Sequence, residues 1–189
     1  MKFIEGKYLK ISETLYLKEI KKEDSEELYR LMNRIYYPAY ENYWKDDGNW
    51  YVEGLYNKEN IDKELKETHA DYFFVIFNGI NIGILRTVKG LDPEYNADRS
   101  YIKLHRLYLD QTIQNQGLGK TIMNWLIDDA SKKGYKKLWL EVMEKQPQAI
   151  HFYKKLGFIE VDKTLLDFPL LYEDYKGMYK MTKELQQEA

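Results

Sequence analysis

Gln114-Asn115-Gln116-Gly117-Leu118-Gly119-Lys120 joins an apolar alternating run, residues 101–109, to an amphipathic run, residues 118–130. The order is strand, glycine-bearing turn, helix start. The first turn of a helix carries backbone N–H groups without intrahelical acceptors, and a partial positive charge. Phosphates bind there. Gly117 and Gly119 let the amides curl inward and leave no Cβ between backbone and diphosphate. The stretch predicts a phosphate-bearing cofactor at the start of this helix. Two glycines before a helix also make a plain turn; the strand before and the helix after favour the binding reading. The spacing is not the G-x-G-x-x-G dinucleotide fingerprint, and no G-x-x-x-x-G-K-[ST] occurs.

Downstream, Gly134 caps the helix, and residues 137–143 form the next strand. Pro147 suits the first turn of a second helix, whose buried side is Ala149, Ile150, Tyr153 and Leu156, and Gly157 stops it. Residues 158–166 and 176–183 are the last two strands, joined by an acidic loop, and a polar tail follows from Lys183. Upstream, residues 72–77 and 81–89 are strands joined by an Asn78-Gly79 hairpin turn, and residues 91–99 form a polar loop. Residues 14–20 alternate as a half-buried strand. Leu28, Leu31, Met32 and Ile35 then recur at helical spacing until Pro38 ends or bends the helix. Residues 36–56 are dense in Tyr and Trp without a clean period and read as a mobile or partly helical loop. Residues 60–69 are a short helix with Ile61 and Leu65 on one face.

The expected order is β, α, α, β, β, β, α, β, α, β, β. Hairpins come first and a strand–helix–strand crossover later, which predicts an α/β fold: a mixed, mostly antiparallel sheet with helices on both faces. A length of 189 residues suits one domain, spanning 1–189. A net charge of -2, from 29 basic and 31 acidic residues, implies no general attraction to nucleic acid or membrane. Cysteine is absent, which excludes disulfides, thiolate metal sites and a cysteine nucleophile. His69, His105 and His151 lack metal-ligand spacing. The first seven residues show no apolar signal-peptide region, and the run 72–77 is too short for a bilayer, so a cytoplasmic protein is expected.

This order, with Gln114-Asn115-Gln116-Gly117-Leu118-Gly119 after the fourth expected strand, resembles the GNAT superfamily of N-acetyltransferases. A second motif supports the resemblance: residues 146–158, QPQAIHFYKKLGF, are similar to the family's N-x-x-A-x-x-F-Y-x-x-x-G-F. The likeness is firm over residues 73–158 and consistent from Leu15 onward. It implies acetyl-CoA as donor and a small-molecule or peptide amine as acceptor. Gln114, Asn115, Gln116, Gly117, Leu118, Gly119 and Lys120 would hold the diphosphate. Leu107, Tyr108 and Leu109 would pair with the pantetheine arm where the neighbouring strand splays away, and one of their N–H groups would face the thioester oxygen. Tyr153 stands at the family's general-acid position. Gln146 replaces the usual asparagine and offers the same amide chemistry on a longer stem.

The base is left open between His105 and Glu141. With period two, Tyr101, Lys103, His105 and Leu107 share one face, and His105 has an unperturbed pKa of ~6.5 suited to proton work. The other reading of His105 is a hydrogen-bonded strand residue that shapes the pocket, and that of Glu141 is a tie between strands. With no cysteine nucleophile, direct attack in a ternary complex is expected. On the acceptor side Tyr37, Tyr40, Trp44 and Trp50 would form an aromatic wall. Glu41, Asp46, Asp47, Asp167, Glu173 and Asp174 would add negative charge, suiting a cationic amine such as a polyamine. The plainer reading packs the aromatics onto the sheet and leaves the acids solvated. A non-catalytic acyl-CoA-binding sensor is the alternative function. Dimerisation is common in such enzymes, and no residue here decides for or against a homodimer.

Overall fold

The computed structural model describes residues 7–90 and 100–186; the expected loop 91–99 lies outside them. The elements run β1 (Tyr8–Lys10), β2 (Leu15–Glu19), α1 (Ser25–Tyr40), α2 (Asn49–Leu55), α3 (Lys58–Glu64), β3 (Ala70–Phe77) and β4 (Ile80–Lys89). Then come β5 (Tyr101–Leu109), α4 (Leu118–Lys132), β6 (Lys137–Met143), α5 (Pro147–Lys155), β7 (Ile159–Leu165) and β8 (Gly177–Glu184). One sheet takes the order β1-β2-β3-β4-β5-β6-β8-β7, and only β5 and β6 are parallel. This is the mixed, mostly antiparallel sheet expected.

Two cores follow from period two along the strands. On β3, Phe73 and Val75 turn to one face, where Ile122, Met123 and Leu126 of α4 and Phe158 close over them. Tyr72 and Phe74 turn to the other, against Leu28, Met32 and Ile35 of α1 and Ile61 of α3. Each large apolar chain so buried stabilises the fold by about 1.5–3 kcal/mol. Asn78 and Gly79 adopt φ of 50° and 79°, the positive pair that a two-residue hairpin turn needs. Among the described residues no helix is long and apolar enough to cross a membrane.

Three local expectations are corrected and a fourth is narrowed. The three-residue β1 on β2 was not foreseen; it is too short to show a period. Pro38 does not end α1 on the spot; the helix carries it and runs two residues further, to Tyr40. Residues 41–56 take the partly helical of the two expected forms, held by tertiary contacts. The Trp44 indole donates to Tyr36 Oη at 3.0 Å, and Asp46 accepts from Gly48 N at 3.2 Å and Trp50 N at 2.6 Å, starting α2. Helix α3 begins early because Asn57 caps it through Asn60 N at 2.9 Å, and it stops at Glu64, well before His69.

The feature that positions the site lies in β5. Pairing of β5 with β6 runs from Tyr101↔Lys137 to Leu104↔Leu140 and then stops. Beyond it β5 stays on β4 as far as Gly83↔Leu109, while β6 stays on β8 as far as Met143↔Met178. The sheet opens as a wedge. The β4–β5 register also shifts between Arg86↔Arg106 and Thr87↔Leu104, leaving His105 as a bulged extra residue. A bulge resets alternation. Leu107 and Leu109 therefore face the same core as Ile102 and Leu104, and the expected shared face of Tyr101, Lys103, His105 and Leu107 is broken at His105.

Gly83 sits where β4 passes closest to the end of β5. A Cβ there would lie 2.1 Å from the Tyr108 carbonyl oxygen and 3.1 Å from Leu109 Cα. Backbone cannot swing aside as a side chain can. Gly83→Ala is expected to lower unfolding free energy by about 3 kcal/mol, the upper end for overpacking. Urea unfolding checks this, and a change below experimental scatter contradicts it.

Candidate functional site

The end of β5, the segment that leads into α5, the starts of α4 and α5, and the end of α1 line an open cavity of about 820 Å³. Leu107 and Leu109 form its apolar strand side, the turn 114–120 one wall, and Gln146 and Tyr153 the wall opposite, with Tyr40 and Tyr43 at the α1 end. Asn115 and Gly117 have φ of 64° and 75°, so the chain reverses twice before α4 begins. No side chain caps α4. The N–H groups of Leu118, Gly119 and Lys120 precede the first intrahelical bond, Thr121 N to Gly117 O at 3.0 Å, and these residues line the cavity. A Cβ on Gly119 would touch Leu109 and Phe152 at 3.8 Å, so the helix start lies against the apolar floor.

Charge in the cavity is predominantly basic. Lys120, Lys145 and Lys155 line it. Asp110 is the single carboxylate among the described lining residues, and it is fully engaged. It accepts from Thr112 N at 2.9 Å, Thr112 Oγ1 at 2.7 Å and Arg34 Nη1 at 2.9 Å. Burial alone would raise its pKa, but Thr112 and Arg34 together hold the carboxyl below its ordinary value. Uncapped helix amides, three lysines and a long apolar floor match the chemistry of coenzyme A: a polyanionic nucleotide end and an extended, mostly apolar arm.

Tyr153 projects from α5 half-buried, edge-on to Phe152 at 5.2 Å and Phe158 at 5.7 Å. No hydrogen bond from a described residue engages its hydroxyl. Burial first, and the Tyr40 hydroxyl second, raise its pKa, so it stays a protonated donor. Tyr40 is packed against Tyr36 at 4.8 Å and against Tyr43 and Tyr108 at 5.7 Å each. Burial pushes its pKa up to about 12, and the nearby Gln146 amide pulls it the other way.

The remaining sequence candidates separate clearly. Gln114, Asn115, Gly117, Leu118, Gly119 and Lys120 line the cavity, whereas Gln116 in the same turn does not. Tyr108 turns its ring into the α1–α3 layer, where its hydroxyl meets Tyr51 Oη at 2.8 Å, and it is not among the residues that line the cavity. Trp44 is 3% exposed, bound to Tyr36, and belongs to the core rather than the cavity. Tyr37 reaches Asn49 Oδ1 at 3.0 Å and Glu41 is exposed; both lie outside the cavity lining. Asp46 is committed to starting α2, and Glu173 pairs with Lys176 at 2.7 Å.

Neither proposed base reaches the cavity. His105 Nδ1 lies 2.5 Å from Arg86 Nη1; a guanidinium only donates, so the ring accepts and is neutral. Burial, then Arg106, Arg86 and Lys103, push its pKa down to about 2. Glu141 is tied to Lys103 Nζ at 2.6 Å and Thr164 Oγ1 at 3.3 Å, linking three strands. The pKa of His105 carries a consequence for stability. The unfolded chain takes up this proton near pH 6.5, and the folded chain only near 2. The stabilising share of neutral His105 is whole above 6.5 and is lost progressively as pH falls toward 2. His105→Gln is expected to have a shallower loss of stability just below 6.5 than the wild type, read from urea midpoints across pH. Equal slopes contradict this assignment.

Asp110, Tyr43, Lys145, Lys155 and Phe152 were missed by sequence reading. Asp110-Gln111-Thr112 does carry a local signal, an acidic residue two before a threonine whose N–H it caps. The two lysines carry none.

Comparison with known proteins bears on the family and the fold. The chain is 42% identical over 57 residues to the [ribosomal protein bS18]-alanine N-acetyltransferase of Escherichia coli K12, a match covering 30% of this chain and 38% of that relative. It is 35% identical over 99 residues to the spermine/spermidine N(1)-acetyltransferase of Bacillus subtilis, covering 51% and 59%. The crystal structure of a Vibrio cholerae spermidine N-acetyltransferase in complex with CoA and spermine shares the fold, with a TM-score of 0.67 at 19% identity over 92% of this chain and 96% of that one. Residues 25–158 match the profile of the Acetyltransferase (GNAT) family. The chain belongs to this family of N-acetyltransferases, whose acyl donor is acetyl-CoA.

Proposed function

We propose that this protein transfers an acetyl group from acetyl-CoA to a primary amine by direct attack within a ternary complex. The observation that carries the reading is the pairing, in one cavity, of uncapped α4 amides with an unengaged phenol on α5. Acetyl-CoA supplies an activated acyl group as a thioester. The amides of Leu118, Gly119 and Lys120 hold its diphosphate, and Lys120, Lys145 and Lys155 add charge at the nucleotide end. Leu107 and Leu109 flank the arm, and β5 amides past Leu104, unpaired on the β6 side, are donors for the arm and the carbonyl oxygen. Tyr153 gives its proton to the departing sulfur. No cysteine is present to form a thioester on the protein, which favours direct attack.

The acceptor enters at the α1 end, past Tyr40 and Tyr43 and beside Tyr175, whose ring stacks on Tyr43 at 4.2 Å. Such ring faces attract an ammonium group. Together with the polyamine-acetylating relative, they support a small cationic amine such as a polyamine as acceptor. Peptide N-termini belong in the same screen because of the other relative named above. Thiol release from acetyl-CoA is followed with spermidine, spermine, simple alkylamines and an alanine-headed peptide. Amine-dependent release supports the reading. Coenzyme A binding with no amine raising release supports the non-catalytic sensor instead.

A further inference from the structure

A carboxylate in a cavity suited to a polyanion calls for an explanation, because it repels phosphate. Asp110 lines that cavity and is only 8% exposed. Its hydrogen bonds account for it. At the exit of β5 its backbone N–H reaches the Ile82 carbonyl at 2.7 Å, which fastens it to β4. Oδ1 accepts from Thr112 N at 2.9 Å and Thr112 Oγ1 at 2.7 Å, folding the chain into one 3-10 turn over Gln111–Ile113. Oδ2 accepts from Arg34 Nη1 of α1 at 2.9 Å. The other arm of the same guanidinium, Nη2, donates to the Asn81 carbonyl at 2.6 Å. One planar fork thus joins α1, the start of β4 and the exit of β5. The chain that follows has little else to hold it. Gln114 N bonds to the Gln111 carbonyl at 3.1 Å, but among the described residues no hydrogen bond engages the N–H groups of Asn115, Gln116 or Gly117. Residues 114–117 are exposed, and the apolar anchor before them is Ile113, half-buried against the core. The turn takes its position from its two ends, α4 on one side and the knot at Asp110 on the other.

We propose that Asp110 and Arg34 are positioning residues for the cofactor's diphosphate: Asp110 sets the path of residues 111–117 into α4, and Arg34 fixes the Asp110 carboxylate while offsetting its charge. Arg34 itself is outside the cavity lining and acts only through Asp110. Charge alone would act in the opposite direction. Were the carboxylate merely a negative group beside phosphates, Asp110→Asn would strengthen coenzyme A binding. As the anchor of the turn, it has the reverse effect when replaced. Whichever way the new amide is turned, its NH2 meets a donor, Arg34 or Thr112, and one tie of the knot is lost. Coenzyme A is then expected to bind about tenfold more weakly, the worth of one charge-assisted hydrogen bond. Arg34→Lys keeps the positive charge but puts one ammonium in place of the fork, which cannot bridge Asn81 and Asp110 as the guanidinium does. It is expected to weaken coenzyme A in the same direction.

This role rests on the reading that coenzyme A occupies the cavity, and its test separates the two. Calorimetry on the full chain and both variants reads coenzyme A affinity. Thiol release is measured in parallel with two acetyl donors: acetyl-CoA, and S-acetylpantetheine, which lacks the diphosphate and the nucleotide. Positioning of the diphosphate predicts that Asp110→Asn lowers kcat/KM for acetyl-CoA by the factor lost in affinity and leaves kcat/KM for S-acetylpantetheine as in the wild type. A merely structural role lowers both. Unchanged or tighter coenzyme A binding in Asp110→Asn, or equal losses with the two donors, overturns the assignment. If Asp110→Asn does not fold, Arg34→Lys, changed at a side chain that is half exposed, carries the same outcomes. Coenzyme A binding by the wild type with no loss in either variant refutes the positioning role alone. No binding by the wild type refutes the cofactor reading, and this role with it.

Discussion

Replacing Tyr153 by Phe is expected to lower turnover about 100-fold or more while coenzyme A affinity stays the same, the usual loss when an acid catalyst is removed. The ring would remain between Phe152 and Phe158, so packing is kept and only the hydroxyl goes. That hydroxyl makes no hydrogen bond to another described residue, so its removal leaves no buried partner orphaned. Stability and cofactor affinity should therefore be insensitive to the change, and kcat sensitive. Steady-state thiol release paired with calorimetry separates the two. A variant that turns over like the wild type removes Tyr153 from the chemistry.

The largest expected effect on stability lies outside the cavity. Glu64 at the end of α3 makes a two-pronged pair with Arg106 of β5, at 2.7 and 2.8 Å, and both side chains are largely buried. Arg86, 3% exposed, lies 3.7 Å from the same carboxylate through Nε, donates to Glu67 at 2.6 Å, and also faces His105. Truncating the carboxylate leaves a guanidinium buried without its partner, which costs about 3–5 kcal/mol. Glu64→Ala is expected to lose that much in urea unfolding. Replacing Glu64 and Arg106 together by Leu and Met is expected to cost far less, because the desolvation of both charges is relieved. If the single and double replacements cost the same, the penalty does not come from an unpaired charge.

These two cases show what local sequence carries and what it does not. The turn 114–120 was readable because its evidence is local: two glycines, a strand pattern before and a helix pattern after. The hairpin at Asn78-Gly79 and the helix stop at Gly157 were readable for the same reason. Tyr153 was placed by its motif, and the structure sets it on the cavity wall. His105 shows the opposite case. A bulge has no compositional mark, so the β5 alternation read as unbroken, and the carboxylates that surround the arginines beside His105, Glu64 at the end of α3 and Glu67 just past it, are distant along the chain. Trp44 was assigned to a pocket wall because aromatics without a period look alike whether they line a site or fill a core. Its hydrogen bond to Tyr36 and the bridge to Leu171 put it in the core. Tyr40 was placed at the acceptor side; that it lines the same cavity as Gln146, more than a hundred positions later in the sequence, has no local trace.

The central claim is that the cavity at the start of α4 holds coenzyme A. Isothermal titration of coenzyme A into the full chain tests it most directly. One saturable site per chain, weakened as salt is raised because lysines and helix amides hold the phosphates, is the predicted result. Absence of binding heat up to millimolar ligand at more than one temperature, where a silent enthalpy would show itself, contradicts the account.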